Sequence, residues 1–273
     1  MKLHLIVADE FRHFANKPGV MPYSMLLEHL RHGRLDALRG ATLVAGQGLG
    51  EMEIDHAYCL GMSLGLLPEF ECWRTWHNQG RADYSLSHKH RSENVLISRP
   101  RRLADDRFEA DLLINARNEL MLDHLTGMHV QGMVLTEACR QMFIATTEAH
   151  CLSADAPPKR YFVINEMNMR FLEFAFPLPA TIRYQLLERR QPRANRVQIT
   201  ADMAVWQNGR EVAGMAVKFG VFDGAQLAPR ETQLADAALA QCLDDTVAHF
   251  ASLGRVVELP APLEASQPVA AMA

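Results

Sequence analysis

The stretch "DHLTGMHVQGMVLTEACRQMFIATTEAHC", residues 123–151, decides how this chain is read. From Gln131 on it reads as one long helix, apolar on nearly every face, as expected of a helix enclosed by other elements. Yet it carries Glu137, Arg140 and Gln141 near its start. Spacings of three and four place all three on one face. An enclosed ionised carboxylate is costly unless paired or hydrogen-bonded. It is either half of an internal or subunit-interface ion pair, or a functional group in a cleft. The residues just before it favour the second reading. Gly127 and Gly132 allow close approach of a backbone or ligand. The unpaired N–H groups around Gly132 to Leu135 present the positive end of the helix dipole, suited to a carbonyl oxygen that gains negative charge. His124 and His129 flank this terminus and add proton-transfer capacity.

Outward from the helix, strands dominate. Before it, "ENVLISR" and "RFEADLLI" read as strands separated by the turn "PRRLADD". After it, past the loop "SADAPPK", come four more: "RYFVINEMNMRF", "ATIRYQLLER", "NRVQITADMAVWQ" and "EVAGMAVKFGVF". Asn208–Gly209 between the last two is a hairpin signal. Two strands, one long helix and four strands bury their apolar surfaces together when one antiparallel sheet wraps the helix. This predicts an α+β hotdog fold over residues 84–225. A lone hotdog leaves a sheet edge unburied, which predicts a homodimer with sheets aligned edge to edge.

Residues 1–80 read as a small α/β unit: "LHLIVA" as a strand, "SMLLEHLRHG" as a helix stopped by Gly33, "ATLVAGQGLGE" as a strand entering a turn, and "DHAYCLGMSLG" as a helix. Glycines 46, 48 and 50 suggest a phosphate loop, but Glu51 stands where the dinucleotide pattern needs glycine, and no P-loop lysine follows. A strand-to-helix turn is the favoured reading. Residues 231–254 read as an amphipathic C-terminal helix ending at Gly254, and the Pro-rich tail 259–273 as disordered.

The 273 residues are 48% hydrophobic and 22% charged, with net charge −4. That balance suits a globular protein with a sizeable core and offers no electrostatic case for nucleic acid. No apolar run is long enough for a membrane span, and "MKLHLIVADEF" is too short in its apolar part for a secretory signal. Five scattered cysteines suggest reduced thiols and a cytoplasmic setting. The twelve histidines form no metal-ligand spacing, so neither metal nor resident cofactor is expected.

"DHLTGMHVQGMVLTEACRQ" resembles the signature of the A-factor biosynthesis (AfsA-type) hotdog proteins, roughly DHPxxDHVPGMVLLEAARQ. Asp123, His124, His129, Val130, Gly132, Met133, Val134, Leu135, Glu137, Ala138, Arg140 and Gln141 match in register, and "HKHRSENVLIS" resembles the family's HKxxxxEVLLT at His88, Lys89 and Val95. Met128 and Gln131 replace the family's Asp and Pro, and residues 1–80 do not read as a second hotdog. The PGVLxxEA helix of acyl carrier protein dehydratases is similar in its Gly-to-Glu spacing.

The resemblance implies acyl transfer in γ-butyrolactone signal or secondary-metabolite biosynthesis: a β-ketoacyl group moves from acyl carrier protein to a hydroxyl of dihydroxyacetone phosphate. It implies Glu137 as general base, with Arg140 holding phosphate or carbonyl. His124 and His129 would move the proton or orient substrate. Gly132 and Met133 would supply the oxyanion site, Gln141 would position Glu137, and Asp123, His88 and Lys89 would complete substrate binding. "SHKHR" also reads as a solvated strand edge, as most charge clusters are. Met133, Met142, Phe143, Met167, Met169, Phe171 and Phe174 are candidate liners of an acyl tunnel, though such residues are usually core. The alternatives are dehydration or hydrolysis of an acyl carrier protein or coenzyme A thioester, and a non-catalytic acyl-binding or scaffold role.

Overall fold

Strands that share a sheet but are separated by helices run parallel, because each crossover returns the chain to the same end. The amino-terminal segment of the computed structural model, which describes residues 2–123, 125–152, 160–193 and 196–257, follows this rule. Its elements are β1 (Lys2–Val7), α1 (Arg12–Ala15), β2 (Val20–Pro22), α2 (Tyr23–Arg31), β3 (Ala41–Ala45) and α3 (Glu51–Ser63). The strands form a parallel sheet in the order β2-β1-β3, with Leu5 opposite both Val20 and Val44.

The glycine-rich loop after β3 is a turn that also stitches this sheet to the next one. Gly48 N–H donates to Ile114 O at 3.1 Å, and Ala116 N–H donates to Gly48 O at 2.8 Å. The buried Gln47 side chain donates to Leu112 O at 2.7 Å and accepts from Ile114 N–H at 2.8 Å. Gly48 has φ +92°, and a Cβ there would lie 2.5 Å from the Ala8 methyl. No side chain fits.

The second layer comprises α4 (Tyr84–Ser87), β4 (Arg101–Arg102), β5 (Arg107–Asp111), α5 (Gly132–Thr146), β6 (Arg160–Phe171), β7 (Thr181–Arg193), β8 (Arg196–Gln207) and β9 (Arg210–Asp223). The sheet order is β4-β5-β7-β8-β9-β6, with antiparallel pairing from β4 through β9. The last four strand-like segments emerge as four long strands. Asn208 and Gly209 turn between β8 and β9 with φ 51° and 76°, the two left-handed residues that a two-residue hairpin requires. α5 buries Val134, Leu135, Ala138, Cys139, Met142 and Phe143 under this sheet, where Phe143 meets Phe219 at 4.6 Å between ring centroids. One long helix wrapped by an antiparallel sheet is the hotdog fold. α5 runs on into a π-helical turn, Thr147–Cys151, whose Glu148 is buried against Arg160 and His88.

Two boundaries differ from the sequence reading. "ENVLISR" is no strand: it holds a 3-10 turn at Ser92–Asn94 and then isolated bridges at Ile97 and Ser98. Leu96 O accepts from Leu113 N–H at 2.8 Å and Ser98 N–H donates to Asp111 O at 3.0 Å, and side chains supply further bonds. Gln141 pairs with Asn94 and Leu96, while Arg81 donates to Val95 O, Leu113 O and Ile114 O. The C-terminal helix α6 spans Gly224–Ser252, starting seven residues earlier than the expected Glu231 and including Pro229. Asp223 caps it by accepting from Ala225 N–H at 3.0 Å.

The described residues up to Phe222 form one compact unit and those from Asp223 on another. The tail 259–273 and the loop 153–159 lie outside the described residues. All five cysteines are free, and among the described residues no helix is long and apolar enough to cross a membrane.

Candidate active site

α5 begins at Gly132, after Gln131 turns the extended chain into the helix. Its polar residues fall on one side. Arg140 grips Glu137 bidentately, Nε to Oε2 at 2.7 Å and an Nη to Oε1 at 2.9 Å. This planar fork is the geometry arginine offers a carboxylate. Gln141 Nε2 donates to the same Oε1 at 3.0 Å, and Lys89 Nζ stands 3.1 Å from it. Lys89 also reaches Glu119 at 3.4 Å, and Glu119 is held by Asn94 Nδ2 at 3.0 Å.

Gln141 is fully buried. It accepts from Leu96 N–H at 2.8 Å and donates to Asn94 O at 2.8 Å, pairing with that segment as a neighbouring strand would. The Glu137 side chain is 17% exposed and that of Arg140 28%. Burial alone would raise the Glu137 pKa; hydrogen bonds from Arg140 and Gln141 and the charges of Arg140 and Lys89 outweigh it and lower the pKa instead. Glu137 is therefore a stabilised carboxylate and a weak base.

His88 and Lys89 come to this face because His88 adopts the left-handed conformation, φ 54°, at the end of α4. Two successive side chains then serve two carboxylates on α5 and the turn that extends it: Lys89 meets Glu137, and His88 Nε2 meets Glu148 at 3.2 Å. The solvated-edge reading of "SHKHR" does not describe Lys89, whose side chain is only 20% exposed.

The second group lies across the helix. His129, Val130, Gly132, Leu135, Phe171, Leu172, Glu173, Phe174 and Ala175 line an open, mainly apolar cleft of about 450 Å³. The His129 ring packs on Phe174, centroids 4.7 Å apart, and Phe171 covers Gly132 so closely that a Cβ there would meet the ring at 2.8 Å. Gly132 and Met133 supply first-turn N–H groups, which have no acceptor within the helix. Gln131 is buried, and its Nε2 has no hydrogen-bond partner among the described residues. Leu135 and Glu137 differ by two positions, roughly 200° around a helix of 3.6 residues per turn. The acidic cluster and the cleft thus occupy opposite sides of α5.

The expected constellation is therefore divided. Glu137, Arg140, Gln141 and Lys89 meet, with His88 one residue away on Glu148. His129 and Gly132 belong to the cleft. Met133 is 62% exposed, and Asp123 is exposed in the preceding loop. His124 lies outside the described residues. Of the proposed tunnel liners, Phe171 and Phe174 reach the cleft, Met142 and Phe143 are plain core, and Met169 packs against that core. Met167 is exposed. Sequence reasoning missed Glu119, which has no motif of its own, and Asn94, which stands at the Glu position of the HKxxxxEVLLT segment.

A family model of the A-factor biosynthesis hotdog domain matches residues 79–223. No curated protein matches the sequence. Among solved structures, a mutant thioesterase from Pseudomonas aeruginosa shares 12% identity with TM-score 0.34, covering 46% of this chain and 81% of its own. A thioesterase from Haemophilus influenzae shares 14% with TM-score 0.33, covering 46% and 78%. A hypothetical thioesterase from Streptococcus pneumoniae, solved with coenzyme A, shares 15% with TM-score 0.31, covering 45% and 84%.

Proposed function

This chain belongs to the A-factor biosynthesis hotdog family, and from that premise we propose that it is an enzyme of acyl thioesters. It transfers a β-ketoacyl group from the phosphopantetheine arm of acyl carrier protein to a hydroxyl of a small phosphorylated three-carbon acceptor. The observation that carries the reading is the apolar cleft at the amino end of α5, where His129 faces Phe174 and the first-turn N–H groups begin. The acyl chain lies on Phe171, Phe174 and Leu135. The thioester carbonyl oxygen points at the Gly132 and Met133 N–H groups, which stabilise the oxyanion. His129 takes the acceptor's proton as its oxygen bonds to the carbonyl carbon; the C–S bond breaks and the pantetheine thiol leaves with a proton. Glu137, bound as tightly as it is, acts by fixing Arg140, whose remaining N–H groups hold the acceptor's phosphate.

The acidic cluster and the cleft lie across α5 from each other, so a substrate that uses both needs two copies of the chain. We therefore place the working site in a homodimer, the cleft of one copy facing the Arg140 side of the other. Mixing inactive His129→Ala and Arg140→Ala proteins tests this: shared sites restore up to about a quarter of wild-type turnover after subunit exchange. No recovery despite exchange removes the two-copy site. Incubation with a β-ketoacyl carrier protein, with and without dihydroxyacetone phosphate, tests the chemistry. Acceptor-dependent loss of the acyl group is the expected result.

A second reading is hydrolysis in the same cleft. It is favoured by one feature: Lys89 and Arg140 already have carboxylate partners, so a phosphate must compete for them, whereas water need not. Acyl loss indifferent to the acceptor establishes hydrolysis in place of transfer.

A further inference from the structure

The loop that carries His129 is held by the amino-terminal α/β layer. Gly127 O accepts two backbone bonds, from His13 N–H and Phe14 N–H, both at 3.0 Å. His13 Nδ1 lies 3.2 Å from Thr126 O. A carbonyl only accepts, so Nδ1 carries the hydrogen in this contact. Phe14 stacks on Phe176, ring centroids 5.9 Å apart, on the strand-side wall of the same loop. From that wall Ala175 O receives Val130 N–H at 2.8 Å. Within the loop, Thr126 Oγ1 accepts from His129 N–H at 3.0 Å and donates to His129 O at 2.8 Å.

Gly127 makes the approach possible. Its φ is +72°, and a Cβ built on it would lie 2.9 Å from His13 Nδ1. Both the backbone angle and the space exclude a side chain. His13 and Phe14 need no such arrangement for their own helix: in the first turn of α1 their N–H groups are spare donors. They are spent on a loop more than a hundred residues away.

We propose that His13, Phe14 and Gly127 form a latch by which the α/β layer positions His129 and the start of α5. Gly127 and Phe14 are thus positioning residues of the acyl site, with His13 contributing its backbone N–H, and residues 1–80 contribute to catalysis without touching substrate. The catalytic consequence rests on the acyl-thioester reading above; the latch itself is read independently.

The test compares Gly127→Ala, His13→Ala and the double variant in the full-length chain. Amide hydrogen exchange at residues 128–135 reports the latch whatever the activity. Gly127→Ala is expected to speed exchange there at least about tenfold, equivalent to some 1.4 kcal/mol of local opening, while β7–β9 stay protected. His13→Ala, which keeps both backbone bonds, changes exchange little. The double variant recovers part of the protection, because the clash is gone and only the backbone angle remains strained. With a β-ketoacyl pantetheine thioester as probe, Gly127→Ala should also lower kcat about tenfold or more, with KM moving less. Unchanged exchange at 128–135 in Gly127→Ala overturns the latch. If Gly127→Ala fails to fold, the exchange of Phe14→Ala decides. Removing the ring that stacks on Phe176 is expected to speed exchange at residues 126–130 while β7–β9 stay protected, and unchanged exchange there overturns the latch. Altered exchange with no thioester turnover by the wild-type chain leaves the latch standing and removes the acyl-thioester reading.

Discussion

On one side of α5 each charge has been met: Glu137 by Arg140, Gln141 and Lys89, and Lys89 again by Glu119. On the other, the cleft exposes Phe174 to 68% and Phe171 to 55%, and the helix begins with unpaired N–H groups. The difference teaches that most of the charge on an enclosed helix can be spent on its own partners, which in the proposed reaction leaves only the spare N–H groups of Arg140 to the acceptor. Saturated groups fix geometry; unsaturated ones remain available for chemistry.

The comparison breaks most visibly at His129. If the cleft side does the chemistry, His129→Ala lowers turnover about 10²–10³-fold while leaving the unfolding midpoint nearly unchanged. Steady-state kinetics beside a thermal melt checks both halves. A loss that appears only in the melt would move His129 to the structural side.

Gln141 is the reciprocal case. Replacing it with Leu strands the Leu96 N–H and the Asn94 carbonyl and removes a donor to Glu137. Stability should fall by about 2–4 kcal/mol, read as a lower urea midpoint at constant slope.

Glu137→Gln sharpens the contrast through pH. The folded-state pKa of Glu137 is lowered, so its ion pairs stabilise the protein above the unfolded-state value and lose that contribution as pH falls through the folded one. The wild type should exceed Glu137→Gln in stability by about 1–2 kcal/mol near neutrality, and the gap should close in acid below the ordinary carboxylate range. A gap that is constant with pH excludes an ionic origin.

Gly209→Ala is the smallest effect. The hairpin glycine has φ +76° and open space around it, so only backbone strain of about 1 kcal/mol is expected. A calorimetric midpoint shift of a few degrees would match it.

Much of the hotdog was legible in the chain because β6 to β9 are strand-like runs of twelve or more residues each, and Asn208–Gly209 marks one turn. α5 was legible by its apolar run and its start at Gly132. Residues 93–99 were not, since they meet neighbouring backbone only in isolated bridges and take their other bonds from the side chains of Gln141 and Arg81, which no local pattern announces. α6 begins earlier than expected, at Gly224 behind the Asp223 cap, and carries Pro229 five residues in. For the site, the shared face of Glu137, Arg140 and Gln141 followed from spacing alone. That Lys89 would join them depended on a left-handed residue at His88, and the separation of His129 from Glu137 depended on where the sheet and segment 88–96 press against the helix.

The bridge from Gln47 and Gly48 to residues 112–116 also bears on how the chain is made. The partners of Gln47 lie 65 and 67 residues downstream. During synthesis the leading parallel sheet emerges with its glycine-rich edge bare and waits for β5 before that edge can close. A nascent chain halted near residue 80 should be protease-sensitive at 46–50, and become resistant once about 40 further residues have cleared the ribosomal tunnel.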